Sequence, residues 1–232
     1  MFSAILFNKV VLILAIKAFI YDACGTLFDV HSVTEKAESL FNGYGKQISE
    51  GWRQKQVEYF MLHQLTDRYI PFSKIRKNAL SYTLNKLSLS YKKEDLDHLM
   101  NAYLELQTYE EVSETLKNLN RRKVKQTIFS NGTKDMLTPP VKKRELSDFC
   151  NVLSVDDVKQ YKPSPAAYKY AHESLGVNCD EILFMSSNFW DITGASSYGF
   201  KTAWINRSKL PEDVLGIEPD YIYGNLKELL NI

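Results

Sequence analysis

Asp22 stands at the end of an apolar run, Ala18-Phe19-Ile20-Tyr21, and Gly25-Thr26 follow at once. A buried strand that carries a carboxylate to its C-terminal end, with glycine letting the backbone turn away, is how an open α/β sheet presents chemistry. The same letters also describe an ordinary strand end, where Asp and Gly are common turn residues. Polar residues recur after three more apolar runs, as Ser130-Asn131, Ser186-Ser187-Asn188 and Asn206-Arg207, and Lys162 precedes a proline-led helix. In a parallel sheet the strand C-termini share one edge, so a carboxylate, an ammonium, hydroxyls and amides could converge in one crevice. Taken singly, each of these groups is ordinary loop polarity.

The elements that must position them follow from periodicity. Gln126–Phe129, Asn151–Val155, Ile182–Met185 and Thr202–Ile205 read as further short strands. Helical patterns alternate with them, one carrying Val112, Leu116 and Leu119, one Ala167, Ala171 and Leu175, one Asp191, Ala195 and Gly199; Leu226–Leu230 reads as a closing helix. Pro139-Pro140 is expected to interrupt a helix drawn from Lys134. Between the first strand and this alternation the character changes. Trp52, Gln56, Tyr59, Phe60 and His63 share one helical face, Ile75, Ala79, Thr83 and Leu87 another, and Leu96, Met100 and Tyr103 a third. The expected architecture is α/β: a doubly wound, Rossmann-like parallel sheet with an inserted helical cap. The core is assigned to residues 17–31 and 107–232, and the cap to 32–106.

Composition narrows the function classes. Net charge is +1 over 232 residues, with no basic excess for nucleic acid. Cys24, Cys150 and Cys179 are too scattered for a disulfide framework or a zinc pair, so a reducing, cytoplasmic setting is the default. Residues 1–16 are almost wholly apolar, with Lys9 the only charge. They read first as an N-terminal extension or mis-set start. The alternative is a signal peptide or anchor, which would make the protein exported, periplasmic or membrane-attached; a spanning helix of ~20 residues would have to consume the strand that carries Asp22.

Longer segments sharpen the picture. They are Asp22-x-x-Gly25-Thr26-Leu27-Phe28-Asp29-Val30-His31-Ser32, Trp52-Arg53-Gln54-Lys55-Gln56, Ser130-Asn131-Gly132, and Tyr161-Lys162-Pro163 with Tyr168 six residues past the lysine. Ser186-Ser187-Asn188-Phe189-Trp190-Asp191-x-Thr193-Gly194-Ala195, Gly199-Phe200 and Ala203-Trp204-Ile205-Asn206-Arg207 complete the series. From about Lys17 to its end the chain resembles the haloacid dehalogenase superfamily, and more closely its type II 2-haloacid dehalogenases. The resemblance implies a hydrolase that converts short-chain (S)-2-haloacids to (R)-2-hydroxyacids through an aspartyl ester, without metal or other cofactor, commonly as a homodimer; the alternatives are a phosphatase acting on a small phosphate ester and a non-catalytic binding domain of the same fold.

It also implies roles. Asp22 would be the nucleophile and Lys162 the cation that keeps it ionised. Thr26 and Ser130 would offer hydroxyls, to Asp22 and to the substrate carboxylate. Arg53 and Asn131 would surround the leaving halide, and Asn188 and Asp191 would position the water that opens the ester. Tyr168 and Ser186 match residues needed for activity, and Val57, Phe72 and Trp190 match the apolar lining. Magnesium-dependent phosphatases of the superfamily carry an aspartate where this chain has Cys24, and an acid where it has Ser187. Halide leaves without a proton, so neither acid is required for its displacement. The dehalogenases usually place tyrosine at the Cys24 position. A smaller residue there would enlarge the pocket or lower activity, and burial behind the turn is expected to keep the thiol inert.

Overall fold

The structure, a computed structural model, describes residues 16–30 and 32–232. The apolar stretch 1–15 lies outside them. Among the described residues no helix is long and apolar enough to cross a membrane.

Six short strands form one parallel sheet in the order β5-β4-β1-β6-β7-β8. They are β1 (Ala18–Tyr21), β4 (Lys125–Ser130), β5 (Asn151–Ser154), β6 (Ile182–Ser186), β7 (Lys201–Ile205) and β8 (Tyr221–Tyr223). The numbering β2 and β3 belongs to a two-residue antiparallel ladder, Phe28–Asp29 against Gln107–Thr108. Strand β1 lies at the centre, Tyr21 opposite Ile128 of β4 and Met185 of β6. From β1 the chain winds outward through β4 and β5, then crosses back to build β6, β7 and β8 on the other side. The crevice at the C-terminal end of β1 is therefore the topological switch point, where open α/β sheets bind ligands. The central strands are buried on both faces, which explains their continuous apolar runs.

Four helices stand between β2 and β3: α1 (Ser32–Leu40), α2 (Gly45–Leu65), α3 (Phe72–Lys86) and α4 (Lys93–Ala102). The faces expected from sequence are the buried ones, with Trp52, Gln56 and Phe60 on α2, Ile75, Ala79 and Thr83 on α3, and Leu96 on α4. Trp52 is fully enclosed. Its indole donates to the Arg76 carbonyl at 2.7 Å and its ring meets Tyr103 edge-on. Helices α5 (Val112–Asn120), α6 (Lys134–Lys143), α7 (Pro165–Leu175) and α8 (Phe189–Tyr198) flank the sheet, and a 3₁₀ segment, Leu226–Asn231, closes the chain.

One expectation is corrected and one strand is added. Helix α6 runs unbroken through Pro139 and Pro140. Each interior proline costs about 3 kcal/mol, about 6 for the pair, but burial of Met136, Leu137, Pro140 and Val141 is worth at least a comparable sum, at about 1.5–3 kcal/mol for a large apolar side chain. The carbonyls left without a helical donor are those of Asp135 and Met136; the Thr138 hydroxyl, at 2.7 Å, bonds the Lys134 carbonyl one position earlier. Strand β8 was absent from the sequence reading because Tyr221-Ile222-Tyr223 is three residues long and partly exposed.

Candidate active site

Asp22 closes β1, its N–H bonded to the Met185 carbonyl at 2.8 Å, and the chain then turns sharply. Gly25 makes the turn possible. It adopts φ +88°, and a Cβ there would lie 2.8 Å from Ser187 Oγ and 3.2 Å from an Arg53 nitrogen. Arg207, after β7, clamps the turn from outside by donating to the carbonyls of Gly25 (3.1 Å) and Thr26 (2.9 Å) and pairing with Glu111 at 2.6 Å.

The Asp22 carboxylate is 5% exposed and fully bonded. Lys162 Nζ donates to Oδ1 at 2.9 Å; Asn188 Nδ2 (3.0 Å) and Thr26 Oγ1 (3.2 Å) donate to Oδ2. Lys162 is 0% exposed, and its three ammonium protons have three acceptors: Asp22, Asp191 Oδ2 at 2.6 Å and the Phe129 carbonyl at 3.1 Å. Burial alone would lower the Lys162 pKa; the carboxylates of Asp191 and Asp22 reverse that and hold it above its ordinary value. The loop that carries Lys162 is fixed by Asn131, which accepts the Lys162 N–H at 2.9 Å and donates to its carbonyl at 3.2 Å.

Asp191 sits in the first turn of α8, where the helix dipole favours a carboxylate. It is wholly buried, with Lys162 on one oxygen and the Tyr168 hydroxyl on the other at 2.7 Å. Burial pushes its pKa up to about 6, against the pull of Lys162. Tyr168 can approach α8 because Gly194 lacks a side chain; a Cβ there would run into the phenol. Asn188 caps α8 but makes no side-chain capping bond. Its amide instead joins the sheet to the insert, donating to Asp22 while its oxygen accepts from Arg53 of α2 at 2.8 Å. Ser186 Oγ accepts the Asn188 N–H at 3.1 Å and so fixes that residue's backbone.

A cavity of about 60 Å³ opens onto this cluster between sheet and insert. One water needs ~10–15 Å³ on the same measure, so the space suits a molecule of three or four carbons. Of the residues singled out in the sequence, Asp22, Cys24, Arg53, Val57, Phe72, Ser130, Asn131, Lys162, Asn188 and Trp190 line it. Thr26, Tyr168, Ser186 and Asp191 stand behind that wall and act through their bonds to it. Ser130 Oγ accepts the Gly132 N–H at 3.1 Å, leaving its proton for a ligand. Cys24 is on the wall, where the resemblance puts a pocket-lining residue, and burial pushes its thiol pKa up. Gln56, Arg76, Tyr103, Leu106, Met136, Leu137 and Pro140 also line it, with Phe28, Phe60 and Gly132, and were not assigned to the site from sequence. Arg76 did carry a signal, because it lies one turn past Phe72 on the buried stripe of α3, where a charge is out of place.

Residues 16–199 match the family model of haloacid dehalogenase-like hydrolases. The (S)-2-haloacid dehalogenase of Pseudomonas sp. (strain YL) is 40% identical over 218 residues, 94% of each chain. A crystal structure of an L-2-haloacid dehalogenase superposes with a TM-score of 0.91 at 38% identity, covering 93% of this chain and 97% of that one. The L-2-haloacid dehalogenase of Xanthobacter autotrophicus, solved with chloropropionic acid covalently bound, matches with a TM-score of 0.87 at 35% identity over 93% of this chain and 97% of its own.

Proposed function

This chain belongs to the haloacid dehalogenase-like hydrolases, and from that membership we propose that it hydrolyses the carbon–halogen bond of short (S)-2-haloacids to give (R)-2-hydroxyacids. The observation that carries the reading is the Asp22 carboxylate, on the wall of a small cavity and held by an ammonium, an amide and a hydroxyl. A carboxylate so held is a nucleophile in place. One Asp22 oxygen forms a bond to C2 from the face opposite the halogen. The carbon–halogen bond breaks, the halide leaves with the electron pair, and C2 inverts. Arg53 faces the departing anion and Ser130 the substrate carboxylate; Asn131 acts by holding Lys162 in place.

Water then attacks the carbonyl carbon of the Asp22 ester. Asn188, on the cavity wall, positions that water. Asp191, behind the wall and bonded to Lys162, has a pKa of about 6 and is suited to take up the proton near neutral pH by relay through the Lys162 ammonium and to return it to the departing alkoxide. The ester oxygen leaves with the product, and Asp22 is regenerated with an oxygen from water. The cation between the two carboxylates is an ammonium, and Cys24 and Ser187 occupy the positions of the acids that the phosphatases use, so metal-free chemistry forms part of this reading.

The test is halide release from L-2-chloropropionate with EDTA present. Undiminished release is expected. Activity abolished by EDTA would refute the metal-free step, and phosphate-ester turnover in Mg²⁺ with no halide release would make the chain a phosphatase. The same reading places a homodimer in the cytoplasm. Light scattering should then give twice 26.8 kDa for the soluble protein; a monomer mass, or a periplasmic location, would correct it.

A further inference from the structure

Arg76 is a buried cation that the displacement above does not use. It is 4% exposed and lines the same cavity as Asp22. Its Nε donates to Gln56 Oε1 at 3.1 Å, and its guanidinium carbon lies over the Tyr103 ring, 3.9 Å from the centroid. It also meets the Cys24 thiol and lies 5.3 Å from the centroid of the Phe72 ring, with the like charge of Arg53 nearby. Among the described residues no carboxylate pairs with it, and its terminal nitrogens have no oxygen acceptor. A guanidinium is built to bind a carboxylate with two parallel bonds. Withdrawn from water with only neutral partners, it is an unfavourable arrangement that an incoming anion would relieve.

Cys24 supplies the room. It is two residues past Asp22, its side chain is small, and it meets Arg76 at the insert side of the cavity. Arg53 is already engaged with Asn188 and the Cys24 carbonyl. Ser130, on the sheet side, offers its hydroxyl to one substrate carboxylate. A ligand whose first carboxylate meets Ser130 leaves Arg76 as the partner of a second anionic group.

We propose that Arg76, seated over Tyr103 beside Cys24, is a second anion subsite, and that the preferred substrates are short 2-halodicarboxylates of the 2-chlorosuccinate type. The proposal rests on the dehalogenase reading and adds the substrate class. The displacement is unchanged: an Asp22 oxygen bonds to C2, halide leaves with the electron pair, and ester hydrolysis gives the 2-hydroxydicarboxylate.

The experiment compares kcat/KM for 2-chlorosuccinate and L-2-chloropropionate, each by halide release, in the wild type, Arg76→Gln and Cys24→Tyr. Binding of succinate and propionate by calorimetry runs alongside and needs no turnover. The wild type should favour chlorosuccinate at least tenfold. Arg76→Gln should cut that ratio at least tenfold, chiefly through KM, and weaken succinate binding more than propionate binding. Cys24→Tyr should cut the ratio in the same direction by filling the space, and it keeps the test alive should Arg76→Gln fail to fold. Wild-type kcat/KM no higher for chlorosuccinate, or equal losses on both substrates in Arg76→Gln, would overturn the subsite and leave the dehalogenase standing. Release from neither substrate would sink the dehalogenase reading, and succinate binding lost in Arg76→Gln would then still support the anion subsite, while succinate binding unchanged would refute it.

Discussion

Asp22→Asn will lose halide release from L-2-chloropropionate by on the order of 10⁴-fold or more, about 5 kcal/mol of barrier. The amide keeps the shape of the carboxylate and one acceptor oxygen, but it has no charge to direct at C2. The change also removes one of the two negative partners of Lys162, so a modest fall in thermal midpoint should accompany it; circular dichroism of the native type separates a dead site from an unfolded chain. A single turnover of excess wild type in ¹⁸O water gives the complementary result. Label should enter the Asp22 carboxyl, because water attacks the ester carbon and not C2. Label found only in the product hydroxyl would eliminate the covalent step, as would substantial activity in Asp22→Asn.

Lys162→Met should be nearly as damaging, at least ~10³-fold in activity, and should also destabilise the fold by roughly 3–5 kcal/mol, the range for breaking a buried ion pair. The substitution leaves Asp22 and Asp191 facing one another with no ammonium between them. The wild type already shows where this triad is sensitive. Burial raises Asp191 to about 6 from an ordinary 3.8. For an acid raised in the fold, the stabilising contribution belongs to the protonated form; it is full below the unfolded pKa and lost as pH rises through about 6. The hydrolytic step needs the ionised form. Between pH 7 and 5, therefore, halide release should fall while the thermal midpoint holds or rises. Glu111, Asp156, Asp157 and Glu181, all held below their ordinary range, stay ionised across that window. A thermal midpoint that drops together with activity would argue against Asp191 as the titrating group. In Lys162→Met the loss of the cation should drive the carboxyl of Asp191 further up, so any residual activity should have its acid limb displaced to higher pH.

What could be read from the chain alone follows the strength of each local signal. Strands β1, β4, β6 and β7 are doubly buried runs that end in polar residues, and that punctuation alone puts Asp22, Ser130, Ser186 and Asn188 on one edge. Helical periodicity likewise gave the buried faces of α2 and α3. Resemblance, not periodicity, singled out Arg53 and Tyr168, and the structure shows why spacing could not. Arg53 reaches Asn188 across 135 residues, and Tyr168 reaches Asp191 from a different helix. The unbroken α6 defeated a local rule because tertiary burial outweighed the proline penalty. Arg76 belongs to none of the segments that carry the resemblance and drew no expectation, although its place on an apolar stripe marks it out. For Cys24 the expectation of burial was half met, since its partners on the cavity wall come from a helix fifty residues away.

The two-residue ladder of Phe28–Asp29 with Gln107–Thr108 brings the start and end of the four-helix excursion to one point on the core. Because closure entropy grows only by about 0.6 kcal/mol for each doubling of loop length, the length and make-up of what lies between can change with little penalty to the sheet. Arg53, Gln56, Val57, Phe72 and Arg76 all belong to that excursion, whereas Asp22, Lys162, Asn188 and Asp191 all belong to the sheet side. Change in what the cavity accepts can thus accumulate mainly on one module, Cys24 and Ser130 apart, while the groups proposed to react stay on the other. Transplanting residues 30–106 between relatives should carry substrate preference with it.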